Sequence, residues 1–317
     1  MVNGSKTLDD VRRRLLAASF RLPLSPNICR AMRDGLVLAG LLFAVVNWWM
    51  LTSGGGLPVD VIDYWRVDPQ HLYPVGAIWN HSGYVYSPAF ELIVGPLSVL
   101  SRTAFIALWR GTLFVALAWL AGPFLLPVLF WVPVQSEINA GNVQILLALA
   151  VVLGFRWPAT WSFVLLTKLT PGVGLLWFAI RREWRALAVA LIVTALIAGF
   201  SFALLPSAWL DWARLLTQNA EPSVPPYYMP FWVRLPFALV AVALAAWTDK
   251  KWLLVAGVAL ALPVYYVISS SLLVGVLPYL RQAIGRAQAR WFAARAAWLE
   301  TRGQAPHTLT TAPEWPN

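Results

Sequence analysis

Two carboxylates and a phenol stand close together in the stretch Asp60-Val61-Ile62-Asp63-Tyr64-Trp65-Arg66-Val67-Asp68. On a helix, Asp60, Asp63, Tyr64 and Val67 would share one face, because residues three and four apart are neighbours there. A carboxylate on that face could serve as a general base with Tyr64 as a sugar-contacting group. The same spacing also suits an N-terminal helix cap or a solvated loop face. Farther on, His81-Ser82-Gly83-Tyr84-Val85-Tyr86-Ser87-Pro88 leads into a helix that Pro88 can start, with Glu91 one turn in. Tyr84 and Tyr86 suit an aromatic belt at a membrane interface, and His81 suits a surface position as well as a substrate contact.

A polar island follows, Gln135-Ser136-Glu137-Ile138-Asn139-Ala140-Gly141-Asn142-Val143-Gln144, between two apolar runs. Its amides could satisfy a broken helix or bind a hydroxyl-rich substrate. Lys168-Leu169-Thr170-Pro171 puts a cation in an apolar segment just before a kink. An ionisable residue at membrane depth is a functional candidate, its partner an acid or a phosphate, although a lysine can also snorkel to the interface. Arg234 has the same two readings near one end of the apolar run 229–247. With three histidines and a single cysteine, Cys29, the chain offers no spacing for a structural metal site.

These residues need elements to hold them, and composition says which kind. The chain has 317 residues, 59% of them hydrophobic and only 12% charged. An ordinary soluble domain is about a quarter charged, so a soluble enzyme, a secreted disulfide scaffold and a disordered tail are excluded. At roughly 20 residues per crossing the apolar content allows at most about nine spans. Apolar runs lie near 36–51, 87–101, 104–122, 123–134, 143–156, 159–180, 186–205, 229–247 and 252–280. Pro171 and Pro263 divide two of them, and broken helices at membrane depth require surrounding protein or a watery cavity. The expectation is an all-α polytopic bundle of about 8–10 transmembrane or re-entrant helices. It has a basic N-terminal segment at 1–34, a core at 35–280 with an external loop at 54–86, and a basic amphipathic tail at 281–317.

The net charge of +10 is an orientation signal and not a nucleic-acid footprint. Lysines and arginines crowd into 1–34, Arg102, the turn Arg181-Arg182-Glu183-Trp184-Arg185, Lys250-Lys251 and the tail. The opposite side holds Arg66, Arg214 and Arg234. The positive-inside rule then makes both termini cytoplasmic and places the protein in the cell membrane. Trp291, Phe292 and Trp298 suit the tail to an inner-leaflet interface.

Asp60-x-x-x-Tyr64, Tyr86-Ser87-Pro88, Gly141-Asn142-Val143-Gln144 and Lys168-Leu169-Thr170-Pro171, followed by the basic turn at 181–185, occur in this order. The pattern resembles glycosyltransferase family 87, polyprenol-phosphate-sugar-dependent membrane transferases of the GT-C fold. The resemblance runs from about residue 35 to 280, and departs most at Pro263-Val264-Tyr265-Tyr266. It implies transfer of a hexose, often mannose, from a polyprenyl monophosphate carrier to a glycan or glycolipid outside the cytoplasm. A β-linked mannosyl carrier would give an inverted α-product by single displacement. The family's early-loop Asp maps best onto Asp60, with Asp63 next. Tyr64, Arg66, His81, Tyr86, Glu137, Asn142, Gln144, Lys168 and Arg234 are the candidate substrate contacts, with Lys168 and Arg234 facing the departing phosphate. No nucleotide-binding loop is needed, and a divalent cation is an open option. A lipid-linked sugar flippase or a non-catalytic membrane subunit are the competing readings.

Overall fold

The computed structural model describes residues 59–66, 72–73, 84–218 and 229–301. The N-terminal segment 1–34, the run at 36–51, His71, His81, most of the loop 54–86 and the end of the tail lie outside the described residues. Every regular element among the described residues is helical. Four helical runs are long and apolar enough to cross a membrane: Arg102–Leu129, Trp184–Leu204, Phe231–Thr248 and Val267–Arg295. Val132–Ala140 and Gln144–Leu153 form a bent apolar pair, a broken span or a re-entrant loop, and Pro88–Leu97, Thr170–Ile180 and Lys251–Leu260 are shorter apolar helices. The protein is thus an all-α polytopic membrane protein, with several helices too short to cross alone.

In chain order the helices are α1 (Val59–Trp65), α2 (Pro88–Val94), α3 (Arg102–Ala121), α4 (Leu125–Leu129), α5 (Val132–Ala140), α6 (Gln144–Leu153) and α7 (Trp161–Thr167). After them come α8 (Leu176–Ile180), α9 (Trp184–Leu204), α10 (Pro206–Gln218), α11 (Phe231–Thr248), α12 (Lys251–Leu260) and α13 (Leu277–Thr301). The apolar run 123–134 does not form a crossing of its own. Its first part continues α3 through Gly122–Phe124 into α4, and its last residues open α5.

The breaks have local causes. Pro133 sits in the first turn of α5, and Gly141 ends that helix in the left-handed region at φ 73°, where glycine alone carries no steric penalty. The chain then turns 107° into α6. Helix α7 stops at Lys168, which is extended at φ −140° and ψ 111°. Pro171 has no amide proton for the carbonyl of Thr167 four residues back, and its ring clashes with that carbonyl, so the α-helix ends there and the chain continues as the 3₁₀ segment Thr170–Leu175. Pro263 likewise separates α12 from the 3₁₀ segment Val267–Val276.

Contacts between turns define two ends of the bundle within residues 59–277. Arg181 pairs with Asp249 at 3.1 Å and donates to the Ala246 carbonyl. Lys251 lies 4.8 Å from the centre of the Phe155 ring. The turns at 155–157, 181–185 and 249–251 therefore share one end. Helix α6 rises from Gln144 to this end in 10 residues, about 15 Å of helix. The break at Gly141–Val143 accordingly sits at the other end, where Trp212 Nε1 of α10 also donates to the Val85 carbonyl.

Arg234 ties together that far end. It is 4% exposed, and its guanidinium donates to the carbonyls of Met229 (3.0 Å), Leu260 (2.6 Å), Leu262 (2.8 Å) and Pro263 (3.1 Å). Leu260, Leu262 and Pro263 lie at and just beyond the end of α12, where carbonyls have no partner within the helix, and Met229 lies just before α11. The Arg234→Ala variant should lose on the order of 3 kcal/mol of stability, since hydrogen bonds to a charged group are the strong ones. Lysine should restore only part of this, as a point charge cannot reproduce the planar fork. Thermal unfolding of the detergent-solubilised variants reads the order wild type, Arg234→Lys, Arg234→Ala.

Candidate functional site

The break between α5 and α6 is where the chemistry-bearing residues meet. Asn142 follows Gly141 and donates through Nδ2 to Asp60 Oδ2 at 2.8 Å. Its Oδ1 accepts from the Val143 amide at 2.7 Å and from the Tyr86 hydroxyl at 3.4 Å. Tyr86 and Tyr64 share a hydroxyl–hydroxyl bond of 2.8 Å. Asp60, Asn142, Tyr86 and Tyr64 thus form one hydrogen-bonded chain assembled from three separated stretches of sequence.

Packing fixes each member. Tyr64 is 1% exposed and meets Tyr86, Phe90 and Trp109 edge to face at centroid distances of 5.4, 5.4 and 5.2 Å. Such contacts add about 0.5–1.5 kcal/mol each beyond area burial. Trp109 Nε1 donates to the Gly141 carbonyl at 2.7 Å, so α3 pins the break to the aromatic cluster. Trp65 Nε1 holds the end of α1 through the Leu100 carbonyl at 2.9 Å. The Ser87 hydroxyl donates to the Leu166 carbonyl, which brings α7 and Lys168 alongside.

Glu137 works inside the protein. It is fully buried, and its Oε1 accepts from the amides of Gln144 (2.5 Å) and Ile145 (3.2 Å). A carboxylate at a helix N-terminus satisfies orphan amides and complements the dipole, so Glu137 caps α6 from the preceding helix. Gln144 is buried as well, and Gln144 Oε1 and Glu137 Oε2 make no hydrogen bond among the described residues. Lys168, half-buried, lies within Coulombic reach of both Glu137 and Asp60. The site therefore holds one cation within Coulombic reach of two acids.

Asp63 lies on α1 and Arg66 directly follows it, Arg66 exposed. Burial raises the Asp60 carboxyl above its ordinary value, with the Asn142 hydrogen bond and the Lys168 charge opposing the rise. Asp63 is pushed up to about 6 by burial and by the Asp60 charge, against Arg66. Both carboxyls are on a seven-residue loop helix, partly exposed, so water can reach them.

Of the residues singled out in the sequence, Asp60, Tyr64, Tyr86, Asn142 and Lys168 converge. Glu137 and Gln144 support them from behind, Asp63 and Arg66 flank them, and Arg234 is the brace described above. His81 lies outside the described residues. Among the described residues no group of three His, Cys, Asp or Glu side chains could hold a metal ion. Trp109 and Phe90 were not singled out by sequence. Each is one aromatic residue in an apolar run, and nothing in its spacing marks it.

The family model of glycosyltransferase family 87 matches residues 84–299. A polyprenol-phosphate-mannose-dependent alpha-(1-2)-phosphatidylinositol mannoside mannosyltransferase of Mycolicibacterium smegmatis is 26% identical over 248 residues, covering 62% of this chain and 54% of the relative. The chain thus spans about half the length of that relative. No solved structure matches it.

Proposed function

The chain belongs to glycosyltransferase family 87, and from that premise we propose that it moves a mannosyl residue from a polyprenyl-phosphate carrier to a hydroxyl of a glycan or glycolipid. The observation that carries this reading is the Asp60 carboxylate oriented by Asn142, with Lys168 within Coulombic reach of it. Asp60 takes the proton of the acceptor hydroxyl as its oxygen attacks the anomeric carbon. The bond from that carbon to the phosphate oxygen breaks, and the lipid phosphate leaves with its charge met by Lys168. A β-linked donor then yields an α-linked product. Lys168 is preferred to Arg234 for the phosphate, since four hydrogen bonds commit Arg234 to carbonyls. The basic turns at one end support a cytoplasmic assignment for that end in the cell membrane, which leaves Asp60 facing the extracytoplasmic side.

The test is transfer of labelled mannose from polyprenyl-phosphate mannose by purified enzyme in a lipid nanodisc, with the anomeric configuration of the product read by NMR. An α-product from a β-donor supports the mechanism, and a retained configuration overturns the single displacement.

The pH profile separates the two carboxylates. A base works only when ionised, so kcat/KM is present above its pKa and is lost as the pH falls through it. The acid limb should stand above the ordinary carboxylate range because burial raises Asp60. The Lys168→Met variant removes a charge that holds Asp60 down, so its limb should move to higher pH. The Asp63→Asn variant should keep the limb. Loss of a limb near 6 in Asp63→Asn would instead make Asp63 the base.

A further inference from the structure

Arg110 takes no part in the chemistry described above, yet it is a half-buried cation on α3, in a helical run long and apolar enough to cross a membrane. An ionisable side chain in such a segment marks a function by default, and its partner has to be named. Trp109, the residue before it, meets Tyr64 and holds the Gly141 carbonyl, so Arg110 stands at the level of the site. Its Nη2 donates to the Asn139 carbonyl at 2.7 Å, its one hydrogen bond among the described residues. Its Nε is buried without a partner. No acid among the described residues lies within its Coulombic reach, whereas Lys168 has both Asp60 and Glu137.

A second orphan donor stands on the neighbouring helix. Gln135 lies one turn before Asn139 on α5, which packs against α3, and its Nε2 is also buried without a partner. Both orphans are donors, so an acceptor completes them, and the uncompensated charge of Arg110 makes that acceptor an anion. The bilayer flank of α3 is open beside them: Leu108 is 48% and Phe114 44% exposed, and a Cβ on Gly111 would meet nothing within 4 Å.

We propose that Arg110 and Gln135 form a binding site for a lipid-borne phosphodiester, entered from the bilayer along the seam between α3 and α5. The planar guanidinium matches two phosphate oxygens, and a phospholipid brings them to the membrane boundary while its chains stay in the bilayer. This anion is distinct from the departing phosphate, which Lys168 meets.

Unfolding of the full chain in detergent, with and without added lipid, tests the site. Phosphatidylglycerol should raise the unfolding temperature of wild type, because a ligand of the folded state stabilises it. Diacylglycerol, which lacks the phosphate, should not. Gln135→Glu is nearly isosteric and gives Arg110 a carboxylate, so it should fold as wild type and bind phosphatidylglycerol about tenfold more weakly. Arg110→Gln should lose the lipid shift as well. Arg156→Gln, which removes an exposed cation at the basic end, should keep it. A shift undiminished in both Gln135→Glu and Arg110→Gln, lost only with Arg156, or matched by diacylglycerol would overturn the site. A lower unfolding temperature in Arg110→Gln with the lipid shift intact would reduce Arg110 to a brace for α5. An equal shift from inorganic phosphate would overturn a lipid as its source. Transfer assays separate the two lipid sources, and either result keeps the site. An acceptor's own phosphodiester predicts an acceptor KM raised about tenfold in Arg110→Gln for a phospholipid-anchored acceptor and unchanged for a phosphate-free mannoside. Bulk phospholipid predicts no change in either.

Discussion

The Asp60→Asn enzyme should lose about 10²–10⁴-fold in kcat, the range ascribed to one positioned general base. The substitution is nearly isosteric. The new carbonyl oxygen can still accept from Asn142 Nδ2, so the 2.8 Å contact to the break survives. What disappears is the ability to take a proton and the negative charge facing Lys168. Donor KM should therefore change little, since the Tyr64–Tyr86 pair is untouched. Thermal unfolding should match wild type, because Lys168 retains Glu137 within Coulombic reach. The companion Asp63→Asn should keep most activity. An inactive Asp63→Asn beside an active Asp60→Asn would transfer the base to the neighbouring carboxylate. A fall of both variants in stability as well as rate would reduce α1 to a structural element.

The sequence was most readable where local chemistry repeats a simple rule. The spacing of Asp60 and Tyr64 predicts one helical face, and the structure puts both into one hydrogen-bonded chain through Tyr86 and Asn142. Pro171 and Pro263 mark breaks, and breaks are found beside both. Long-range roles were not readable. Glu137 looks like a substrate acid in a polar island, but the turn at Gly141 folds it back onto the amides of α6. Arg234 looks like a snorkelling cation or a phosphate ligand. Only the return of α12 beside α11 shows that its partners are the carbonyls of Leu260, Leu262 and Pro263. In both cases the charge finds its partner in backbone, and backbone groups have no sequence signature. Trp109 was hidden for a related reason: its acceptor is the carbonyl of Gly141.

The second large effect is expected at Gly141, which touches no substrate in the proposed mechanism. A Cβ there would stand 2.6 Å from Val61 Cβ, 3.0 Å from Val61 Cγ1 and 3.4 Å from Trp109 Cδ1, and the residue is at φ 73°. Neither strain can relax alone. Val61 is fully buried on α1, and Trp109 is tied to the Gly141 carbonyl. The Gly141→Ala chain must therefore push α1 away from the break, which lengthens the Asn142–Asp60 bond and turns the carboxylate from its line of attack. Overpacking of this kind costs about 1–3 kcal/mol, and a displacement of about 1 Å at the reacting groups can cost about 10²-fold in rate. The expected result is a kcat/KM lowered about 10²-fold with a modest fall in the unfolding temperature. Gly199→Ala is the matched control, because a Cβ on that residue of α9 meets nothing within 4 Å. It should be neutral or slightly stabilising. A Gly141→Ala enzyme as active as Gly199→Ala would show that the close approach of α1 to the break does not position Asp60.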